Sequence, residues 1–493
     1  MRLPAPPTAA TRTLPRHTAL ALGLALLPGL AWAQEAATPG QLAERLRVVE
    51  RRLGIAPAEG ASGADVADLD RRLRAVELGL DERDGQAALA DAQPAPAAPA
   101  ANTRGPEIVL SADKGASIRS ADGQVQLKLG VLLQADNRVF IDDDDRPQND
   151  TFLWRRVRPT LEGSWGDLVG FRLTPEFAGD SASLVDAYVD LKFSPAATLR
   201  LGKVKGPIGL ERLQSGAALA LVERGYPTEL APNRELGAQL QGTLAGAKLG
   251  YVLGVYNGAA DGRDSPTTNP DNDYELAGRL FLEPWKGGAG ALSGLGLGIA
   301  ASTGDKHGAG NNFLPRYRTP GQSTFFSYAA GVAADGGHSR WSPQAYWYIG
   351  PLGLLGEYIR SRQEVVDTAT AARATLDNEA WQLTGSWVLT GERASYRGVR
   401  PDHPFAPGQG GWGAFELVAR YGLLDIDNAA FPLFASASSS ASESRAWTLG
   451  LNWYLTGNLK LVANYSHADF VGGAVGGDRE DEKTFFTRAQ FSF

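Results

Sequence analysis

Residues 447–466 read WTLGLNWYLTGNLKLVANYS, and their alternation decides the fold. Trp447, Leu449, Leu451, Trp453 and Leu455 share one face; Thr448, Gly450, Asn452 and Tyr454 share the other. Thr456, Gly457 and Asn458 supply a tight turn. Beyond it Leu459, Leu461, Ala463 and Tyr465 alternate with Lys460, Val462, Asn464 and Ser466. A period of two over adjoining runs marks paired strands with one apolar face. A soluble sandwich would share this pattern, but the aromatics separate the two. Trp447, Trp453, Tyr465 and Phe493 sit near strand ends on the apolar face, where the aromatic girdle of a membrane barrel lies.

Upstream the alternation recurs. Leu153, Val157, Leu161 and Trp165 oppose Arg156, Arg158, Thr160 and Glu162; Val185, Ala187, Val189, Leu191 and Phe193 oppose Asp186, Tyr188, Asp190 and Lys192. Trp381, Leu383, Trp387 and Leu389 oppose Gln382, Thr384 and Ser386. Charges opposite a continuous apolar face suit a wet lumen on one side and lipid on the other. Tight turns at Trp165–Leu168, Gly350–Leu352 and Thr456–Asn458 alternate with long polar loops, the outer-membrane arrangement. Seventeen runs between Asp122 and Phe493 are strand candidates. A single-chain bacterial barrel needs an even number. The weakest run, Thr324–Ala334, is therefore assigned to a loop, and a 16-stranded antiparallel transmembrane β-barrel is expected. The run Thr484–Phe493 ends the chain with Phe485, Phe491 and Phe493 on one face.

The region before the barrel has a different character. Arg2, Arg12 and Arg16, the apolar run Ala19–Leu27 and the small residues Ala31 and Ala33 read as an export signal over 1–33, cleaved before Gln34. Within 34–87, Leu42, Leu46, Val49 and Leu53, then Val66, Leu69, Leu73, Val76 and Leu80, repeat at heptad spacing and predict short coiled-coil helices. Residues 88–106 form an Ala/Pro-rich linker, leaving 107–493 for the barrel. The expected location is the bacterial outer membrane, with the N-terminal segment in the periplasm.

Composition bounds the chemistry. Among 493 residues there is no cysteine, which excludes disulfides and thiolate sites. A net charge of −7 gives no global basic excess, so nucleic acid is not an expected partner. Mean hydropathy of −0.21 suits strands that need only one apolar face. His307, His338, His403 and His467 accompany no nucleophile motif and show no metal-ligand spacing. No enzymatic activity, cofactor or metal is expected. Four adjacent acids, Asp142–Asp145, read as a solvated loop or a place for a divalent cation bridging lipopolysaccharide.

Several segments carry a family resemblance. They are 199–215 (LRLGKVKGPIGLERLQS), 186–189 (DAYV), 221–236, 417–427 (LVARYGLLDID) and 450–455 (GLNWYL). In combination they resemble the phosphate-selective porin O and P family over roughly Glu107–Phe493, without the heptad segments. The resemblance implies a 16-stranded trimeric porin with inward-folded loops, passing phosphate or polyphosphate along a ladder of arginines and a few lysines. Many relatives share the barrel without that selectivity.

The anion-path candidates follow. Arg155 and Arg156 match the family's paired arginines; by alternation Arg156 and Arg158 face the lumen, and Arg155 does so only if the strand bulges. Arg212 stands where selective members carry a lysine, and Asp186 matches a pore aspartate. Arg316 and Arg318 match an arginine pair in a long loop. Lys203 and Lys205 share the face of Leu199 and Leu201, so their direction is open. Guanidinium suits an oxyanion because its planar fork donates to two oxygens and stays charged. By alternation, lumen acids (Glu162, Glu176, Asp186, Asp190, Glu275, Glu416) nearly balance lumen bases (Arg156, Arg158, Arg172, Lys192, Arg279, Arg340, Arg420, Lys460, Arg488), so selectivity should reside in the constriction. Three functions compete: a channel for phosphate or similar small anions, a porin without that preference, and a tether acting through the coiled-coil stalk. Expected partners are small anions, outer-membrane lipid and lipopolysaccharide, and two further copies in a homotrimer.

Overall fold

The computed structural model describes residues 105–111, 115–144, 146 and 148–493. The export signal, the heptad segments and most of the Ala/Pro-rich linker lie outside the described residues.

Sixteen antiparallel strands close on themselves. In chain order they are β1 (Val125–Ile141), β2 (Thr151–Trp165), β3 (Val169–Glu176), β4 (Ser183–Ser194), β5 (Ala197–Val204), β6 (Glu235–Leu244), β7 (Leu249–Tyr256) and β8 (Glu275–Leu282). The second half comprises β9 (Leu295–Ala309), β10 (Val332–Ile349), β11 (Leu352–Asp367), β12 (Arg373–Val388), β13 (Ala414–Asp425), β14 (Ala441–Tyr454), β15 (Leu459–Ala474) and β16 (Glu482–Ser492). Each pairs with the next, and β16 closes the ring onto β1 from Lys483↔Ile141 to Ser492↔Leu132. Closure leaves no free edge around the barrel, which backbone polar groups in lipid require. A small hairpin, Glu107–Ser111 with Gly115–Arg119, extends the sheet at the start of β1. The run Thr324–Ala334 is divided. Thr324–Ser327 pairs with Arg316–Arg318 inside a loop, while Val332–Ala334 opens β10.

The alternation read from the sequence sets the two faces. Leu383, Trp387, Leu417, Leu449, Leu451 and Phe491 are exposed on the outside, while Gln382, Thr384, Arg420, Thr448 and Asn452 are buried on the inside. In water that exterior would be untenable; soluble monomers rarely leave more than a few hundred Å² of contiguous apolar surface. One strand departs from simple parity. In β2, Gln134↔Arg156 is followed by Ala135↔Trp154, so Arg155 is the extra residue of a β-bulge. Above the bulge Phe152 and Trp154 turn outward, and Leu153, expected on the lipid face, turns in.

Connections broadly alternate in length, with three exceptions. Residues 166–168, 195–196, 245–248, 350–351 and 455–458 are short; the connections at the opposite ends include 205–234, 257–274, 310–331 and 426–440. The connections 283–294 and 389–413 lie on the short-turn side yet are long, and 368–372 on the opposite side is short. Loop 310–331 carries Phe313, Tyr317, Phe325 and Phe326, all essentially fully buried and clustered with Tyr226, Leu230 and Phe434 from neighbouring loops. Burying each such ring stabilises the packed mouth by about 1.5–3 kcal/mol.

Candidate functional site

Loop 205–234 determines what the barrel interior becomes. It carries a short helical turn near each end, α1 (Leu210–Leu213) and α2 (Pro227–Leu230), and runs along the inner wall instead of out into solvent. The wall holds it with side chains that alternation turns inward. Glu357 of β11 accepts from the Leu210 and Glu211 amides at 2.5 and 3.2 Å. Gln134 and Gln490 donate to the Gly216 and Ala217 carbonyls, Asn452 and Lys460 to those of Ala220 and Leu219, and Asn464 accepts from the Val222 amide. Arg420 pairs with Glu211. The loop's backbone polar groups are thereby satisfied inside the barrel.

Beside this loop runs a cavity of about 960 Å³, bordered mainly by β1–β8. Twelve cationic side chains line it: Lys128, Arg155, Arg156, Arg158, Arg172, Arg200, Lys205, Arg212, Arg224, Arg234, Arg279 and Arg318. Among the described residues only four carboxylates do: Glu162, Asp186, Glu223 and Glu229. Five of the cations are compensated by carboxylates: Arg155 by Glu223 in a two-pronged contact (2.6 and 3.0 Å), Arg158 by Glu176, Arg172 by Glu162, Arg200 by Asp190 and Arg234 by Asp186. The other seven have no carboxylate at ion-pair distance among the described residues. Arg212 donates to Asn233 Oδ1 at 2.9 Å and to the Thr228 carbonyl; Lys205 donates to the Leu213 and Gln214 carbonyls at 3.1 and 2.8 Å. Arg156 leans on Gln134, and the Nε atoms of Arg156 and Arg212 are buried without a partner.

The near balance of lumen charge expected from alternation does not hold at the cavity. Arg340, Glu275, Arg420, Glu416, Lys460 and Arg488 do point inward, but all are buried away from it, sealed beneath the inward-folded segments or within the wall. Of the sequence candidates, Arg155, Arg156, Arg158, Asp186, Lys205, Arg212 and Arg318 converge on the cavity. Arg155 reaches it because of the bulge. Lys203 does not; it pairs with Asp264 at 2.7 Å. Arg316 is exposed and does not border the cavity either, whereas its neighbour Arg318 does. Sequence reasoning missed Lys128, Arg200, Arg224 and Arg234. The alternation of Leu199 and Leu201 around Arg200 would have placed that residue inward; Arg224 and Arg234 lie in irregular chain, where no period applies.

Burial lifts the Glu229 carboxyl to about 7, against the pull of Arg212 and Arg318. Its Oε2 accepts from the Arg318 amide at 3.1 Å, tying loop 310–331 to loop 205–234. Away from the cavity, Asp271, Asp273 and His307 bring ligand atoms within 4.8 Å of one another, a grouping that their spacing in the chain conceals.

A closed sixteen-stranded barrel with an apolar exterior, a loop folded into its lumen and a basic cavity beside that loop defines a porin, an outer-membrane channel. The chain belongs to the phosphate-selective porin O and P family, which it matches over residues 125–493. Porin O of Pseudomonas aeruginosa is 25% identical over 425 residues, covering 79% of this chain and 94% of that one. An uncharacterized protein of Caulobacter vibrioides is 25% identical over 496 residues, covering 94% and 92%. Among solved structures the chain is similar to an anion-selective porin from Comamonas acidovorans, at 13% identity and a TM-score of 0.46, covering 75% of this chain and 100% of that one.

Proposed function

We propose that this protein is an anion-selective diffusion channel serving phosphate or polyphosphate uptake, and that it works as a homotrimer in the outer membrane. The observation that carries the reading is the set of seven cavity cations without a carboxylate partner, two of them with a buried, unused Nε. Passage needs binding strong enough to admit the ion and weak enough to release it. A series of spaced cations, of which Arg156, Lys205 and Arg212 are held by neutral partners, meets both demands. Arg155, Arg156, Arg158, Lys205, Arg212 and Arg318 form the path in this reading, with Asp186 holding Arg234 in place. The family's description supports phosphate as the solute class.

The test is electrical. Purified full-length protein in a planar bilayer should give an anion-directed reversal potential in a potassium chloride gradient, and phosphate should block the chloride current. Anion selectivity without phosphate block would replace phosphate uptake by a general anion channel. Cation selectivity would end the proposal. The N-terminal heptad segments are proposed to stand in the periplasm, and outer-membrane lipid and lipopolysaccharide to surround the barrel.

A further inference from the structure

The cavity wall built by β4–β10 differs from the arginine-rich wall opposite. On it, Arg200 lies over the Tyr188 ring at 3.8 Å, and Arg279 over the Phe281 ring at 4.4 Å. Phe281 meets Tyr346 at 5.1 Å, and Tyr346 stacks on Tyr396 at 5.3 Å and 24°. All six residues border the cavity. Phe281 is the penultimate residue of β8, at its short-turn end, and Tyr396 comes from the long connection 389–413 on that same side. The ring cluster therefore lies on the periplasmic side of loop 205–234, which Tyr396 touches through the Leu210 carbonyl.

Strand β9 is shaped to receive these rings. Its inward positions beside them are Gly296 and Gly298, where an added Cβ would fall 2.6 and 2.4 Å from Phe281 ring carbons. No side chain could stand there without displacing the ring. The two arginines also differ. Arg200 is spent on Asp190 through two hydrogen bonds of 2.7 and 2.9 Å. Arg279 is held only by Gln344, from its Nε at 2.9 Å, and no carboxylate stands at ion-pair distance among the described residues. One uncompensated guanidinium with its outer nitrogens available thus stands beside a cluster of three rings.

We propose that this cluster is a subsite for anions that carry an aromatic ring, such as aryl carboxylates and aryl phosphates. The proposal rests on the anion-channel reading and names a solute class for its periplasmic half. Inorganic phosphate has no use for ring faces, whereas an aryl anion uses both features. Its charged group meets Arg279 while its ring packs against Tyr346 and Tyr396, in the offset or edge-on geometry that aromatic pairs prefer.

Paired solutes test this in planar bilayers with the full-length protein. Phenyl phosphate should half-block the chloride current at about ten-fold lower concentration than methyl phosphate, and benzoate should show the same advantage over acetate. Combining Tyr346→Leu with Tyr396→Leu should bring both ratios near one. Should that double variant fail to insert, Tyr396→Ser alone, in a turn and outside the strands, should still lower both ratios. Arg279→Gln should raise the half-blocking concentration of the aryl anions several-fold. An anion-selective parent that is blocked equally by each aryl and alkyl partner, or whose ratio the tyrosine variants leave unchanged, overturns the subsite alone. A parent with no anion preference overturns the channel reading and the subsite with it.

Discussion

Strands β2–β8 turn arginines toward an open cavity, while the inward arginines of β10, β13 and β16 lie away from it and are committed to carboxylates. Arg340 has no exposed side-chain surface and donates to Asp261 and Glu275 at 2.7 Å each. Arg488 grips Asp136 through two contacts of 2.6 Å, and Arg420 holds Glu211 of the inward-folded loop. Across the lumen, Arg156, Arg212, Arg224 and Arg279 border free space and find no carboxylate. Both sets share a residue type and an inward direction, but their partners differ. A guanidinium of the first set, Arg340, Arg420 or Arg488, is committed to carboxylates, and removing it leaves charge stranded in low dielectric. A cavity guanidinium without a carboxylate keeps donor capacity for a passing ion.

The largest effect should come from the buried set. Arg340→Ala should destabilise the barrel by about 3–5 kcal/mol, because Asp261 and Glu275 would lose their shared partner. A lowered urea midpoint of the purified protein would show it. Unchanged stability accompanied by a shifted reversal potential would erase the distinction between the walls. Next come Arg156→Ala and Arg212→Ala, which should lower anion over cation permeability while heat-modifiable migration is retained. A charge at 4 Å contributes roughly 4 kcal/mol at an effective dielectric near 20 and about 1 kcal/mol in bulk water, so the drop measures how wet the path is. Arg212→Lys should be milder, since charge remains and only the fork is lost. Arg212→Glu should push the channel toward cations.

A smaller effect is expected from pH. With its carboxyl lifted to about 7, Glu229 is charged above that value and neutral below it. Acidifying from pH 8 to pH 6 should remove negative charge beside Arg212 and Arg318 and raise anion preference. Glu229→Gln should abolish that slope; a slope that survives assigns it to another group. The smallest contrast is within one loop. Arg318→Ala should reduce phosphate block measurably, and Arg316→Ala should leave it unchanged, because only Arg318 borders the cavity.

Period-two alternation was enough to read the barrel and to place lipid-facing residues such as Leu383, Trp387, Leu449 and Leu451, and the even-number rule brought seventeen runs to sixteen strands. Leu455, expected on the same face, is buried instead. Alternation also turned Arg156 and Arg158 inward. It failed where parity breaks or where no parity exists. Arg155 gained the lumen through a bulge that depends on pairing with β1. Lys205, Arg224 and Arg234 are placed by a loop whose path is set by hydrogen bonds from six or more distant strands, a tertiary fact with no local signature. The charge balance was misjudged for the same reason. Alternation reports which side of the wall a residue faces, and it says nothing of a loop lying over it.

The bulge at Arg155 has a consequence for how such a channel changes over generations. Inserting one residue into a strand normally inverts every side chain beyond the insertion and would drive charges into lipid. Here the inversion runs only toward the near rim, where Phe152 and Trp154 already supply bulky outward rings. The rest of β2, from Val157 to Trp165, keeps its orientation. A single added codon near a strand end is thus a low-risk way to install two neighbouring cations on one side of a sheet. The barrel rim is where this architecture tolerates that kind of experiment.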